Sequence, residues 1–220
     1  MKRRIARKVS REPPTFEHEK EILAQGYHFI AGVDEVGRGA IAGPVAAAAV
    51  ILPRHIQAPW LTQVRDSKQL SRAQRERLFP LIQATAIAAG VGMVSPGDID
   101  ASDIVQATRL AMRQAIEQLS PAPDFLVVDA LKLPEVALPQ RSIIHGDQLS
   151  LSIACASIIA KVTRDHYMDE LDSLYPGYGF SCHKGYPTRQ HLLNLQQAGA
   201  CPVHRQTFSP VERLKQRGLT

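Results

Sequence analysis

Two neighbouring acids, Asp34 and Glu35, stand inside an apolar run from Phe29 to Val36. Gly37-Arg38-Gly39 follows at once, and a second apolar run spans Pro44 to Leu52. Runs of this make-up, bracketed by glycine and proline, predict strands. Carboxylates are rarely placed in such company unless something pairs with them. Adjacent strand residues also point to opposite faces. The two acids can therefore share a site only near a strand edge, at a distortion, or if the longer Glu35 reaches around; the nearby glycines make a distortion cheap.

The rest of the chain predicts an α/β architecture. Helices are expected over Glu17 to Gln25, from an N-cap at Ser71 to about Ala84, over Asp98 to Leu119, over Leu151 to about Leu174, and over Thr188 to Gln197. Further strands are expected at Ile87 to Val94, at Phe125 to Val128 ending on Asp129, and at Ser142 to Ile144. Three consecutive strands suit an antiparallel meander, whereas strands separated by a helix prefer parallel addition. The expected result is a mixed sheet with helices packed on it and acids at strand ends.

Four acids share that context: Asp34, Glu35, Asp129 and Asp147, the last just beyond Ile143-Ile144-His145-Gly146. Strand ends on one sheet edge can bring them together. Hard oxygen ligands at this density suit Mg²⁺ or Mn²⁺. Two such ions about 4 Å apart can activate a water and stabilise the leaving oxygen in phosphodiester hydrolysis. A simpler reading makes Asp147 a cap of the long helix. Asp165, farther along that helix, is expected to pair with Lys161 or Arg164. Gly37-Arg38-Gly39-Ala40-Ile41-Ala42 also matches a loose dinucleotide-binding pattern, but that pattern needs a helix after the glycines, and here Gly43-Pro44 and a strand-like run follow.

The formal net charge of +5 favours polyanionic partners. Lys68, in Asp66-Ser67-Lys68-Gln69-Leu70 at a helix start, is placed to hold a phosphate. Tyr178-Gly179-Phe180 and His183-Lys184-Gly185-Tyr186 interleave aromatic faces, which stack on sugars and bases, with cations that neutralise phosphate. His204-Arg205-Gln206-Thr207-Phe208 repeats the mixture more weakly. Residues 1–16 read as a basic arm and 17–220 as one domain. No apolar stretch reaches a membrane span, and the arm has no apolar core of a secretory signal. Cys155, Cys182 and Cys201 form no C-x-x-C pair, which argues against a structural zinc site and fits a reducing cytoplasm. A monomer is expected.

Taken in order, these motifs resemble those of bacterial ribonuclease HII, the type 2 ribonuclease H family, from about Ile30 to Val211. They are Gly32-Val33-Asp34-Glu35-Val36-Gly37-Arg38-Gly39, Asp66-Ser67-Lys68-Gln69-Leu70, Val127-Val128-Asp129, Gly146-Asp147 with Ala156 to Asp165, His183-Lys184-Gly185-Tyr186, and His204 to Val211. The resemblance implies the ribonuclease H fold, a mixed five-stranded sheet flanked by helices, here with a small C-terminal helical region. It implies an endonuclease acting on RNA–DNA hybrids and on single ribonucleotides in duplex DNA, cutting on their 5′ side to leave a 3′-hydroxyl and a 5′-phosphate. Carried over by motif, Asp34, Glu35, Asp129 and Asp147 form the metal-binding carboxylate site. Gly37, Arg38 and Gly39 would sense the ribose 2′-OH, Tyr186 would stack on the following deoxyribose, and Lys68 and Lys184 would contact substrate. The chain departs from the pattern where Pro187 follows Tyr186, at Gln206-Thr207, and where Ala130 stands after Asp129 in place of the frequent glycine. Nothing long follows Val211, so no appended domain or clamp-binding tail is expected.

Overall fold

The protein is described by a computed structural model that covers residues 12–216, so most of the expected basic arm lies outside the described residues. Thr15 bridges to Ser150, and Phe16 packs on the core, so both belong to the body.

Five strands form one sheet in the order β3-β2-β1-β4-β5. They are β1 (Ile30–Val36), β2 (Val45–Ile51), β3 (Ala88–Val94), β4 (Phe125–Asp129) and β5 (Gln140–Ile143). The pairs β1–β2 and β2–β3 are antiparallel, while β1–β4 and β4–β5 are parallel. The expected meander and parallel additions are therefore both present. The helices are α1 (Glu17–Leu23), α2 (Arg72–Thr85), α3 (Pro96–Ala101), α4 (Ile104–Glu117), α5 (Gly146–Leu149), α6 (Leu151–Leu174), α7 (Phe180–His183), α8 (Arg189–Ala198) and α9 (Ser209–Gln216).

β2 is a strand in spite of its alanines because it is buried on both faces. Ala47 and Ala49 pack under α4, and Ala48 and Val50 under α6. Small side chains let both helices approach closely. A Cβ on Gly32 of β1 would lie 2.2 Å from the backbone of Ser152, so glycine there is what seats α6 directly on the strand that carries the acids. Residues at alternate positions of β1 separate accordingly: Ala31 and Val33 face α4, Gly32 and Val36 face α6.

Three local expectations need correction. The helix expected over Asp98 to Leu119 is two helices, α3 and α4. Asp103 caps α4, accepting from the N–H groups of Val105 at 2.7 Å and Gln106 at 2.9 Å, and an N-cap residue leaves helical geometry. β5 ends at Ile143, and Ile144 is largely exposed. The cap of α6 is Ser150, whose hydroxyl accepts from Ile153 N–H, so Asp147 is not its cap. Ser71 is the N-cap of α2, as expected, and the structure adds a reciprocal box with Gln74.

Candidate metal and nucleic-acid site

The β1–β4 ladder ends at Val33 opposite Val128. Asp34 and Asp129 are the next residue on each strand, so the pairing of two parallel strands brings the carboxylates side by side. Both lie on the α6 face. Glu35 leaves β1 on the α4 face, but Val36 is the last residue of the strand, and the side chain passes the end of the sheet. Ligand oxygens of Asp34, Glu35 and Asp129 all lie within 4.8 Å of one another. The strand end thus resolves how two adjacent strand residues serve one site.

These charges are poorly compensated. Asp34 is 2% exposed. Its Oδ1 accepts from Glu35 N–H at 2.8 Å. Its Oδ2, and Oε2 of Glu35, are buried with no hydrogen-bond partner among the described residues. Burial first, then the charges of Glu35 and Asp129, push the Asp34 carboxyl well above the usual carboxylate range. Burial also raises Glu35, although Arg38 at 3.3 Å works against it. Asp129 is raised by burial despite the 2.7 Å bond its Oδ1 accepts from Gly146 N–H. Clustered hard oxygens, two of them orphaned, fit a divalent cation.

Asp147 is buried on α5 beside this trio. Burial raises its pKa, with Lys68 opposing through a 3.2 Å ion pair. Lys68 sits on a one-turn 3-10 segment capped by Asp66, whose Oδ1 accepts from Lys68 N–H at 2.9 Å. Gln148 of α5 donates to the other Asp66 oxygen at 3.3 Å, which fixes the lysine turn to the helix carrying Asp147. Burial opposes the Lys68 charge, but Asp147, Asp34 and Asp66 together hold its pKa above the ordinary lysine value. The side chain remains 74% exposed, available to a phosphate.

A cleft of about 390 Å³ joins Asp34, Glu35 and Asp129 to Gly37-Arg38-Gly39, Lys68 and Tyr186. A larger cavity, about 470 Å³, lies along α4 by Arg109, Arg113 and Glu135 and is lined by none of Asp34, Glu35, Asp129 and Asp147. The smaller cleft is therefore the candidate site. Lys184 is not brought into it: its ammonium pairs with Asp169 and donates to the Asp165 carbonyl at 3.1 Å. The expected substrate contact at Lys184 is thus occupied within the fold. Asp165 pairs with Lys161 at 2.6 Å and Arg75 at 3.6 Å, while Arg164 turns elsewhere.

Arg164 and Arg205 are what the sequence reading missed. Both are fully buried. Arg205 donates to the carbonyls of Gly37 at 2.7 Å, Arg38 at 3.0 Å and Gly43 at 3.0 Å. Arg164 donates to those of Pro44 at 2.8 Å, Lys184 at 2.9 Å and Ala42 at 3.2 Å. Gly37 has φ 89°, and a Cβ there would meet Arg164 Nε at 2.2 Å, so the first glycine of the turn is required by both backbone and space. One signal was available. Ala156, Ala160, Arg164 and Met168 form a helical stripe in which a charge replaces an apolar residue. Lys161, which also lines the cleft, gives no comparable signal.

Comparison with known proteins agrees with this geometry. Residues 31–211 match the family model for ribonuclease HII. The chain belongs to the ribonuclease HII family. The ribonuclease HII of Dehalococcoides mccartyi is 51% identical over 201 residues, covering 91% of this chain and 95% of the relative. That of Desulfitobacterium hafniense strain Y51 is 52% identical over 195 residues, 89% of this chain and 74% of the relative. The crystal structure of ribonuclease H2 from Pyrococcus horikoshii superposes with a TM-score of 0.71 at 25% identity, over 86% of this chain and 98% of that one. The ribonuclease H-like fold and the enzyme class, a ribonuclease H endonuclease, follow from membership. The dinucleotide-binding alternative fails on structure, since β2 and not a helix follows the glycine turn.

Proposed function

We propose that this enzyme hydrolyses the RNA strand of RNA–DNA hybrids and incises duplex DNA on the 5′ side of an embedded ribonucleotide, leaving a 3′-hydroxyl and a 5′-phosphate. The observation that carries this reading is the meeting, in one cleft, of three clustered carboxylates with a Gly-Arg-Gly turn whose backbone is clamped from behind. Asp34, Glu35 and Asp129, with Asp147 completing the set, would hold Mg²⁺ or Mn²⁺, which would supply two-metal-ion activation of water and charge neutralisation at the leaving oxygen.

The chain's own residues do the rest. Lys68 offers an exposed ammonium to the phosphate backbone, and Asp66 and Gln148 keep it at the edge of the acid cluster. Arg205 holds the Gly37 and Arg38 carbonyls inward, so the outer side of the turn is free to meet the ribose 2′-OH, the group that separates RNA from DNA. Arg38 stays 3.3 Å from Glu35, linking sugar recognition to the reaction centre. Tyr186, also on the cleft, stacks on the deoxyribose that follows the ribonucleotide. No described helix is long and apolar enough to cross a membrane, and the proposed setting is the cytoplasm, with the protein acting as a monomer.

The test is cleavage of a DNA duplex carrying one ribonucleotide, beside an all-DNA control. The expected result is a single metal-dependent cut 5′ of the ribonucleotide and none in the control. Full Mg²⁺-dependent activity in Asp129→Asn would remove the assignment.

A further inference from the structure

Three histidines, His183, His191 and His204, lie buried behind the Tyr186 loop, and the site described above uses none of them. Two of the rings, His183 and His191, meet the backbone of that loop directly. His183 Nδ1 accepts from Gly185 N–H at 3.2 Å, which leaves Nε2–H to donate to the Tyr178 carbonyl at 2.8 Å. Gly185 C=O accepts from Ile41 N–H at 2.8 Å, and Tyr186 N–H donates to His183 C=O at 2.9 Å. Tyr186 C=O accepts from Thr188 N–H at 2.8 Å and lies 2.9 Å from His191 Nδ1. A carbonyl only accepts, so His191 Nδ1 carries a proton.

That requirement propagates. With Nδ1 protonated, Nε2 of a neutral His191 is an acceptor, and His204 Nε2 lies 3.2 Å from it. His204 must then carry its proton on Nε2 and accept through Nδ1. Cys201 N–H is at 3.1 Å from that Nδ1, in place to donate. The Cys201 carbonyl, 3.3 Å from the same Nδ1, would suit the opposite tautomer, so it is the His191 ring that selects Nε2–H on His204. Burial lowers both His191 and His204 to about 4, so both rings are neutral at pH 7, as the chain of donors needs.

We infer that His191, with its tautomer fixed by His204, is a positioning residue that sets Tyr186 for recognition of the RNA-to-DNA junction. The inference rests on the proposed role of Tyr186 and extends it to residues that touch no substrate. It is specific about atoms. Asparagine at 191 places an amide N–H near the Nδ1 position and preserves the bond to the Tyr186 carbonyl; glutamine places it near Nε2 and does not. At 204 the order reverses, and glutamine is the conservative replacement.

The experiment measures kcat and KM on a duplex with one ribonucleotide and on a continuous RNA–DNA hybrid. The ratio of kcat/KM values reports junction recognition. His191→Gln and His204→Asn are expected to lower that ratio about fivefold to tenfold, the worth of one neutral hydrogen bond, through KM of the junction substrate. His191→Asn and His204→Gln are expected to keep it within about twofold on the same scale. Adding His191→Gln to Tyr186→Ala should lower the ratio no further than Tyr186→Ala alone. If Tyr186→Ala leaves the ratio unchanged, the reading of Tyr186 fails and the inference falls with it. If Tyr186→Ala collapses the ratio and the histidine variants do not, the inference alone is overturned. Nitrogen-15 NMR of the wild-type histidines provides a check independent of folding in variants: Nδ1–H on His191 and Nε2–H on His204 are expected, and the opposite tautomers would overturn it.

Discussion

At the end of β1, Asp34, Glu35 and Asp129 crowd together with two buried oxygens that meet no donor among the described residues. Two residues on, at Gly37, the same turn is gripped by Arg205 and lined by Arg164, which are as deeply buried, yet Nε, Nη1 and Nη2 of each guanidinium donate to carbonyls. The first cluster leaves buried oxygens unpaired, whereas in the second every guanidinium nitrogen has a carbonyl partner. Buried polar groups left without partners cost free energy, and a fold keeps them where a ligand completes them; paired ones define a shape. On the proposed function, the acids act on substrate and the arginines hold the turn beside them in place.

The largest expected effect lies on the unpaired side. Asp129→Asn removes a ligand from the trio and should lower Mg²⁺-dependent cleavage by at least about 10²-fold, while the unfolding midpoint without metal stays the same or rises. Parallel loss of activity and of metal-free stability would break the comparison, because the acids would then be structural.

On the paired side the signs reverse. Arg205→Met leaves the carbonyls of Gly37, Arg38 and Gly43 without their donor, and should destabilise the protein by about 3 kcal/mol in urea unfolding. Cleavage by the folded fraction should fall as well, since the turn is released. A variant as stable as the parent would show that the guanidinium is dispensable for the fold.

Metal-free stability should also depend on pH in a particular sense. Asp34 titrates higher in the folded state than in the unfolded chain. The native state therefore binds more protons across the interval from the unfolded carboxylate range up to the raised value. Stability without metal is full below that range and falls as pH rises through it. Asp34→Asn should flatten this dependence and stabilise the metal-free protein at pH 7. Mg²⁺ should stabilise the parent and not the variant. Thermal unfolding across pH, with and without Mg²⁺, measures all of this.

The smallest expected effect concerns the residue after Asp129. Ala130 has φ 51°, a left-handed conformation that disfavours a side chain. Ala130→Gly should remove that strain at some entropic cost in the unfolded state, for a net gain of about 0.5 kcal/mol by calorimetry. The departure from the family pattern at this position is thus a conformational one that leaves the carboxylate in place.

Much of this was legible in the sequence because it depends on local pattern. Apolar runs, glycine and proline brackets and the Ser71 N-cap placed the strands and α2, and four acids in strand-end contexts marked the site. What escaped depends on long-range contacts. Asp103 broke a helix through its own cap, and helical periodicity continues across such a break. Lys184 looked like a phosphate ligand among aromatics, but Asp169, one helix away, takes its charge. Arg205 read as one more cation near the C-terminus, since nothing in its neighbourhood shows that its partners are carbonyls at Gly37 to Gly43. His191 and His204 are likewise defined only by each other.

The most direct measurement of the central claim is cleavage-site mapping on a DNA duplex carrying one ribonucleotide, with Mg²⁺ and Mn²⁺ compared and an all-DNA duplex beside it. The expected result is one cut on the 5′ side of the ribonucleotide, dependent on added metal and absent from the all-DNA duplex. Equal cutting of the all-DNA duplex, or cutting that persists after chelation, would contradict the account.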